Sequence, residues 1–149
     1  GYFFRAESFF NVATEIEKID EETKTSTSTP IIASYGGKSL HEQSHGEAFM
    51  TLVLDRFHGN GFYLLDEPEA ALSPTRQLAL LTRIHDLVTD DSQFVIATHS
   101  PILLAYPDAR ILSFEEEGIR EVAYEDTEHY TVTRSFLLNH RRMLSTLLE

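Results

Sequence analysis

Apolar residues recur along this chain in two rhythms. Phe9, Val12, Ile16 and Ile19 return at three- and four-residue steps with Glu15, Glu17 and Lys18 between them, which predicts a helix over the first twenty residues. The polar, β-branched run from Thr23 to Pro30 ends that pattern and predicts an exposed loop, and Gly36-Gly37 marks another. Ser44 and Glu47 then have the spacing of a capping box, with Phe49, Leu52, Val53 and Phe57 following on one helical face. His58 to Gly61 (HGNG) breaks this second helix.

The other rhythm is the short unbroken apolar run. Phe62–Leu65 (FYLL) and Phe94–Ala97 (FVIA) read as strands buried on both faces. Between them Ser73-Pro74 has the form of an N-cap with proline at the first helical position, and Leu78, Leu81, Ile84 and Val88 supply the expected apolar face. Ser100-Pro101 repeats the cap signal. Arg110–Phe114 and Ile119–Tyr124, separated by the acidic stretch Glu115–Gly118, predict a hairpin whose tip is solvated. From about Tyr130 to Leu148 the chain reads as two helices meeting near Asn139. Strand, helix, strand in this order predicts a right-handed βαβ unit and a parallel sheet. Such sheets gather ligands at the carboxyl ends of their strands, and here those ends carry Asp66-Glu67 and Thr98-His99.

Composition narrows the function classes. A chain of 149 residues with 42% apolar content suits one globular domain. The net charge of −12 argues against a protein whose main task is gripping phosphate backbones, and Arg134, Arg141 and Arg142 near helix ends are ordinary. The absence of cysteine excludes disulfide scaffolds, thiolate zinc sites and a cysteine nucleophile. No apolar run reaches the roughly 18 residues of a membrane span and no charged-then-apolar leader is present, so the expected setting is soluble and cytoplasmic. The start at Gly1, without an initiator Met, points to a fragment.

Asp66 and Glu67 follow four apolar residues directly. A Walker B motif needs this arrangement: the strand holds the first carboxylate rigidly, where it orients Mg2+ or its waters, and the second orients the attacking water. Two acids merely leaving a strand for a loop would give the same local pattern. The surroundings carry more. GYFFRAESFFNVAT, SLHEQSHGEAF, LLDEPEAALSP and ATHSPILLAYP stand in the order of signature helix, Walker B strand, D-loop and switch histidine. Together they resemble a bacterial group of soluble ABC-superfamily (AAA-type, P-loop) ATPases, over nearly the whole chain.

That resemblance implies an α/β fold: a P-loop NTPase parallel sheet with helices on both faces and a small helical subdomain. Residues 1–149 would be the C-terminal portion of one ABC-type domain, with a helical and signature subdomain at 1–58. The Walker B to switch-histidine core would occupy 59–114, and a hairpin and helices 115–149. It implies ATP and Mg2+ as cofactors, held in a homodimer sandwich. Ser44, Gly46 and Glu47 match the signature that touches the γ-phosphate of nucleotide on the opposite subunit. A helix N-terminus suits that task, although Ser44 and Glu47 also satisfy an ordinary capping box. Asp66 would hold Mg2+, Glu67 would be the catalytic carboxylate, Ala71 and Ser73 would belong to the D-loop, and His99 would be the switch histidine.

Several residues depart from the common pattern. Ser73 stands where transporters usually have aspartate, His45 replaces the first signature glycine and Glu47 its glutamine. The last two changes suit soluble relatives of the recombination and repair type, by analogy. Gly37-Lys38-Ser39 is not a phosphate loop, because Ile32 occupies the position of the required first glycine. In the family that loop lies upstream, so this chain alone is expected to bind nucleotide poorly or not at all. His41-Glu42-Gln43-Ser44-His45 fits the zincin pattern of a zinc metallopeptidase, but Gly46 and the cap at Ser44 disfavour one continuous helix through both histidines. A third reading is a non-catalytic interaction module whose acidic surface meets a basic partner.

Overall fold

The computed structural model describes residues 2–5 and 45–149, in two compact units, Gly1–Thr98 and His99–Glu149. In the first, three strands pair in parallel and in sequence order: β1 (Tyr2–Arg5), β2 (Phe62–Asp66) and β3 (Gln93–Ala97). Helix α1 (His45–Arg56) precedes β2, and α2 (Pro74–Thr89) joins β2 to β3. This is the α/β, strand–helix–strand arrangement that the apolar runs predict, and it is compatible with a P-loop-like fold. Parallel neighbours need a crossover of about a dozen residues or more, which α2 provides. Ser73 caps α2 by accepting a hydrogen bond from the Arg76 N–H at 3.4 Å, and Pro74 sits where no N–H is needed.

The core forms on one face of this sheet. Tyr63 and Leu65 are each 2% exposed, and α1 buries Phe49 and Val53. Tyr2, Tyr63 and Phe94 are register neighbours on the three strands, and their rings stack with centroids 6.0 and 4.8 Å apart. Phe57, just after α1, lies 4.3 Å from the Tyr63 ring. Such aromatic pairs contribute about 0.5–1.5 kcal/mol each beyond the area they bury. The Tyr63 hydroxyl also closes the α1–β2 connection: it accepts from the His58 N–H and donates to the His58 carbonyl, both at 2.7 Å. A Cβ on Gly61 would meet the Tyr63 ring at 2.3 Å, so the connection can pass only with glycine there.

Three expectations need correction. Tyr2–Arg5 is a strand, not the start of a helix: aromatic residues favour strands, and β2 offers this segment a parallel partner. The helical positions Phe9, Val12, Ile16 and Ile19, and the loops at Thr23–Pro30 and Gly36-Gly37, lie outside the described residues. The buried stripe of α2 is Gln77, Leu80, Ile84 and Leu87, whereas Leu78 and Val88 are exposed. It is turned by about one residue from the expected stripe by packing against α1 and β3, and the Gln77 amide so buried donates to the Leu72 carbonyl at 3.1 Å. Finally, β2 and β3 are not buried on both faces. Phe3, Phe62 and Val95, which strand alternation places opposite Tyr63, are 71%, 43% and 50% exposed.

The second unit contains α3 (Pro101–Leu104), the hairpin β4 (Ile111–Glu115) and β5 (Gly118–Val122), and α4 (Glu128–Leu147). The hairpin turns through the exposed pair Glu116-Glu117, as its acidic tip predicts, and the Arg120 guanidinium bonds Glu115 at 2.6 Å. Thr127 caps α4 by accepting from the Tyr130 N–H. The backbone leaves helical geometry at Asn139, where the two predicted helices meet. Among the described residues no helix is long and apolar enough to cross a membrane.

Candidate functional site

Asp66 is the last residue of β2, and the two-residue alternation of the strand sends its side chain to the open face, with Phe62 and Leu64. Its register partner on β1 is Arg5, whose Nε lies 3.1 Å from Asp66 Oδ2. Neither side chain is buried, so the pair contributes orientation more than stability.

Glu67 is the turning point. Its N–H donates to the Ala97 carbonyl at 2.9 Å, extending the β2–β3 ladder by one bond. Its own backbone then enters the left-handed region, φ 48° and ψ 51°, which costs a side-chain-bearing residue about 1–2 kcal/mol. Pro68, directly after it, also steers its predecessor away from helical angles, so the conformation opposes two local preferences. Strain of this kind persists where the surroundings over-determine it, and it concentrates at functional positions. The exposed Glu67 carboxylate is thereby thrown off the end of the central strand. A one-turn 3₁₀ helix (Pro68–Ala71) and Leu72 return the chain to the cap at Ser73.

The first turn of α1 abuts this return. Gly46 is buried against it: a Cβ there would lie 2.7 Å from the Ala71 carbonyl oxygen and 2.9 Å from an Arg76 nitrogen. Glu47 accepts from the Arg76 guanidinium at 2.9 Å. Gly46 and Glu47 are thus brought together with Ala71 and the start of α2 within one subunit. Ser44 and His41 lie outside the described residues, and α1 is described from His45 onward.

His99 opens the second unit. Ser100 follows it and caps α3, its buried hydroxyl accepting from the Ile102 and Leu103 N–H groups at 3.1 and 3.2 Å. The His99 ring meets His129, in the first turn of α4, with Nδ1 and Nε2 2.9 Å apart.

Arg5, Arg76 and His129 are the contacts that sequence reasoning missed. Only Arg76 had a signal, its position three residues after a helix cap. Among the described residues no three histidine or acidic side chains converge, so no all-protein metal cage is formed. Mg2+ does not need one: it binds through one or two carboxylates together with waters, and the strand-end carboxylate of Asp66 is a hard-oxygen group of the kind it takes.

A search of curated proteins finds no match. The family model described as "AAA domain, putative AbiEii toxin, Type IV TA system" matches residues 40–105. The matched stretch contains α1, the Asp66-Glu67 exit, the Ala71–Ser73 return, β3 and His99. Over that stretch, which includes the paired acids at the end of β2, the chain is similar to an AAA-type, P-loop ATPase-like domain.

Proposed function

We propose that the chain is the C-terminal part of an ABC-type ATPase that hydrolyses ATP in a homodimer sandwich. In this reading Asp66 would hold Mg2+, which would supply charge neutralisation to the nucleotide's phosphates. Glu67 orients the attacking water and accepts its proton, and its strained backbone keeps the carboxylate at the strand exit. His99 donates a hydrogen bond to the γ-phosphate. Ser44, Gly46 and Glu47 address nucleotide held by the partner subunit, at a helix N-terminus whose partial positive charge favours phosphate. Ala71 and Ser73 form the crossing D-loop. Catalysis is positioning and electrostatic stabilisation, with no covalent intermediate on the protein.

The observation that carries this reading is Glu67. A carboxylate that follows a strand-end aspartate and is held in left-handed geometry before a proline is costly for a mere turn. The test is Glu67→Gln in the intact protein. We expect turnover to fall by about 10²-fold or more, as for loss of a general base, while ATP binding and the nucleotide-bound dimer persist. Turnover near that of the unaltered protein would remove Glu67 from the mechanism.

A further inference from the structure

The histidine that follows β3 does not act as a lone ring. His99 Nδ1 and His129 Nε2 lie 2.9 Å apart, with the rings tilted by 34° and their centroids 5.1 Å apart. A contact of that length between two ring nitrogens is an N–H···N hydrogen bond, in which one nitrogen carries the proton and the other receives it. Which ring donates decides which edge of His99 carries its own proton. His129 is well placed to set that choice. It sits in the first turn of α4, whose start is fixed by the Thr127 cap and by the Thr127 hydroxyl donating to the Tyr124 carbonyl at 2.7 Å. On the other side the Ser100 cap of α3 fixes the backbone next to His99.

We propose that His129 is a positioning residue for His99: it donates its Nε2–H to His99 Nδ1 and so holds the His99 proton on Nε2. With Nδ1 accepting, Nε2–H is the donor on the opposite ring edge, and a phosphate oxygen requires a donor. The inference rests on the reading of His99 as a γ-phosphate contact and extends it to a residue beyond the stretch matched by the AAA family model. Metal-ligating histidines are likewise oriented by a partner at the far ring nitrogen, there with the histidine as donor, and loss of that partner commonly costs about 10–100-fold.

The test uses the intact protein with 15N-labelled histidine and reads the ring-nitrogen shifts of His99 at a pH where both rings are neutral. The unaltered protein is expected to show Nε2 protonated and Nδ1 bare. His129→Glu presents a carboxylate that only accepts, so His99 should switch its proton to Nδ1 and kcat should fall. His129→Ala should lower kcat about tenfold with KM little changed. His129→Gln, whose amide donates, should restore most of the loss. A His99 ring protonated on Nδ1 in the unaltered protein overturns the proposal, and so does an unchanged kcat and tautomer in His129→Glu. His99→Ala separates the two levels of the argument. If it leaves ATP turnover intact, the phosphate role of His99 fails. If it abolishes turnover while the His129 variants behave as wild type, only the positioning role fails.

Discussion

Gly46→Ala tests whether α1 and the return after the acids are one mechanical piece. The added methyl would stand 2.7 Å from the Ala71 carbonyl oxygen, whereas ordinary contact begins near 3.4 Å. The Arg76 nitrogen at 2.9 Å is the end of a flexible side chain and can swing aside, but the Ala71 peptide has little freedom. Leu72, the next residue, donates its N–H to the Glu69 carbonyl at 2.9 Å, accepts from the Gln77 amide at 3.1 Å and is 7% exposed. Overpacking of this kind costs about 1–3 kcal/mol. Alanine recovers at most about 1 kcal/mol of helix propensity, and less at the second residue of α1 than in its interior. The net expectation is a loss of about 1–2 kcal/mol, or a fall in Tm of roughly 3–6 °C for a chain of this size. The chain has 6 Tyr and no Trp, so far-ultraviolet circular dichroism is the natural readout, in both thermal and urea unfolding. Combining the change with Arg76→Ala removes the side-chain contact and should not rescue stability. A Gly46→Ala protein as stable as its parent would refute the reasoning, and rescue by Arg76→Ala would move the clash from backbone to side chain.

Two further perturbations are equally direct. Tyr63→Phe removes the hydroxyl that serves both His58 backbone groups, but Ser92 Oγ still donates to the His58 carbonyl at 3.2 Å. The loss is therefore that of one stranded N–H, about 1–2 kcal/mol, seen as a lower urea midpoint at unchanged slope. Tyr124 donates its hydroxyl to the Pro101 carbonyl at 2.8 Å, and burial, with neighbouring Tyr130 and Glu125, raises its pKa above the ordinary 10.0. A raised pKa in the folded state means a stabilising contribution that is complete below 10.0 and lost as pH climbs through the folded value. The second unit should thus lose stability at alkaline pH beyond that point, and Tyr124→Phe should flatten that part of the profile. A profile identical in the two proteins would contradict this assignment.

What the sequence revealed follows from where each signal resides. The cap-and-proline pairs at Ser73-Pro74 and Ser100-Pro101 set helix starts with atoms only two or three residues away, so α2 and α3 begin where the sequence says. The break at Asn139 is equally local. β1 was hidden because its pairing partner, β2, lies some sixty residues along the chain, and three adjacent aromatics have no helical or strand period of their own. In the leucine-rich α2 two neighbouring stripes share Ile84. Packing of α2 against α1 and β3 decides between them, and that lies outside the helix's own sequence. The candidate site divides the same way. Acids after an apolar run can be read off the chain, and so can a histidine after the next strand. The left-handed Glu67 runs against the preference imposed by Pro68, so local rules point away from it. His129 is thirty residues from the ring it meets, and nothing in its neighbours announces that contact.

The backbone at Glu67 has a consequence for anyone engineering this protein for robustness. Glycine or asparagine relaxes at those angles, so a selection that scores only heat resistance should drift toward them at position 67. The hardiest descendants of such a screen would be expected to arrive with their carboxylate gone. Under the role proposed for Glu67, durability and chemistry compete here for a single codon.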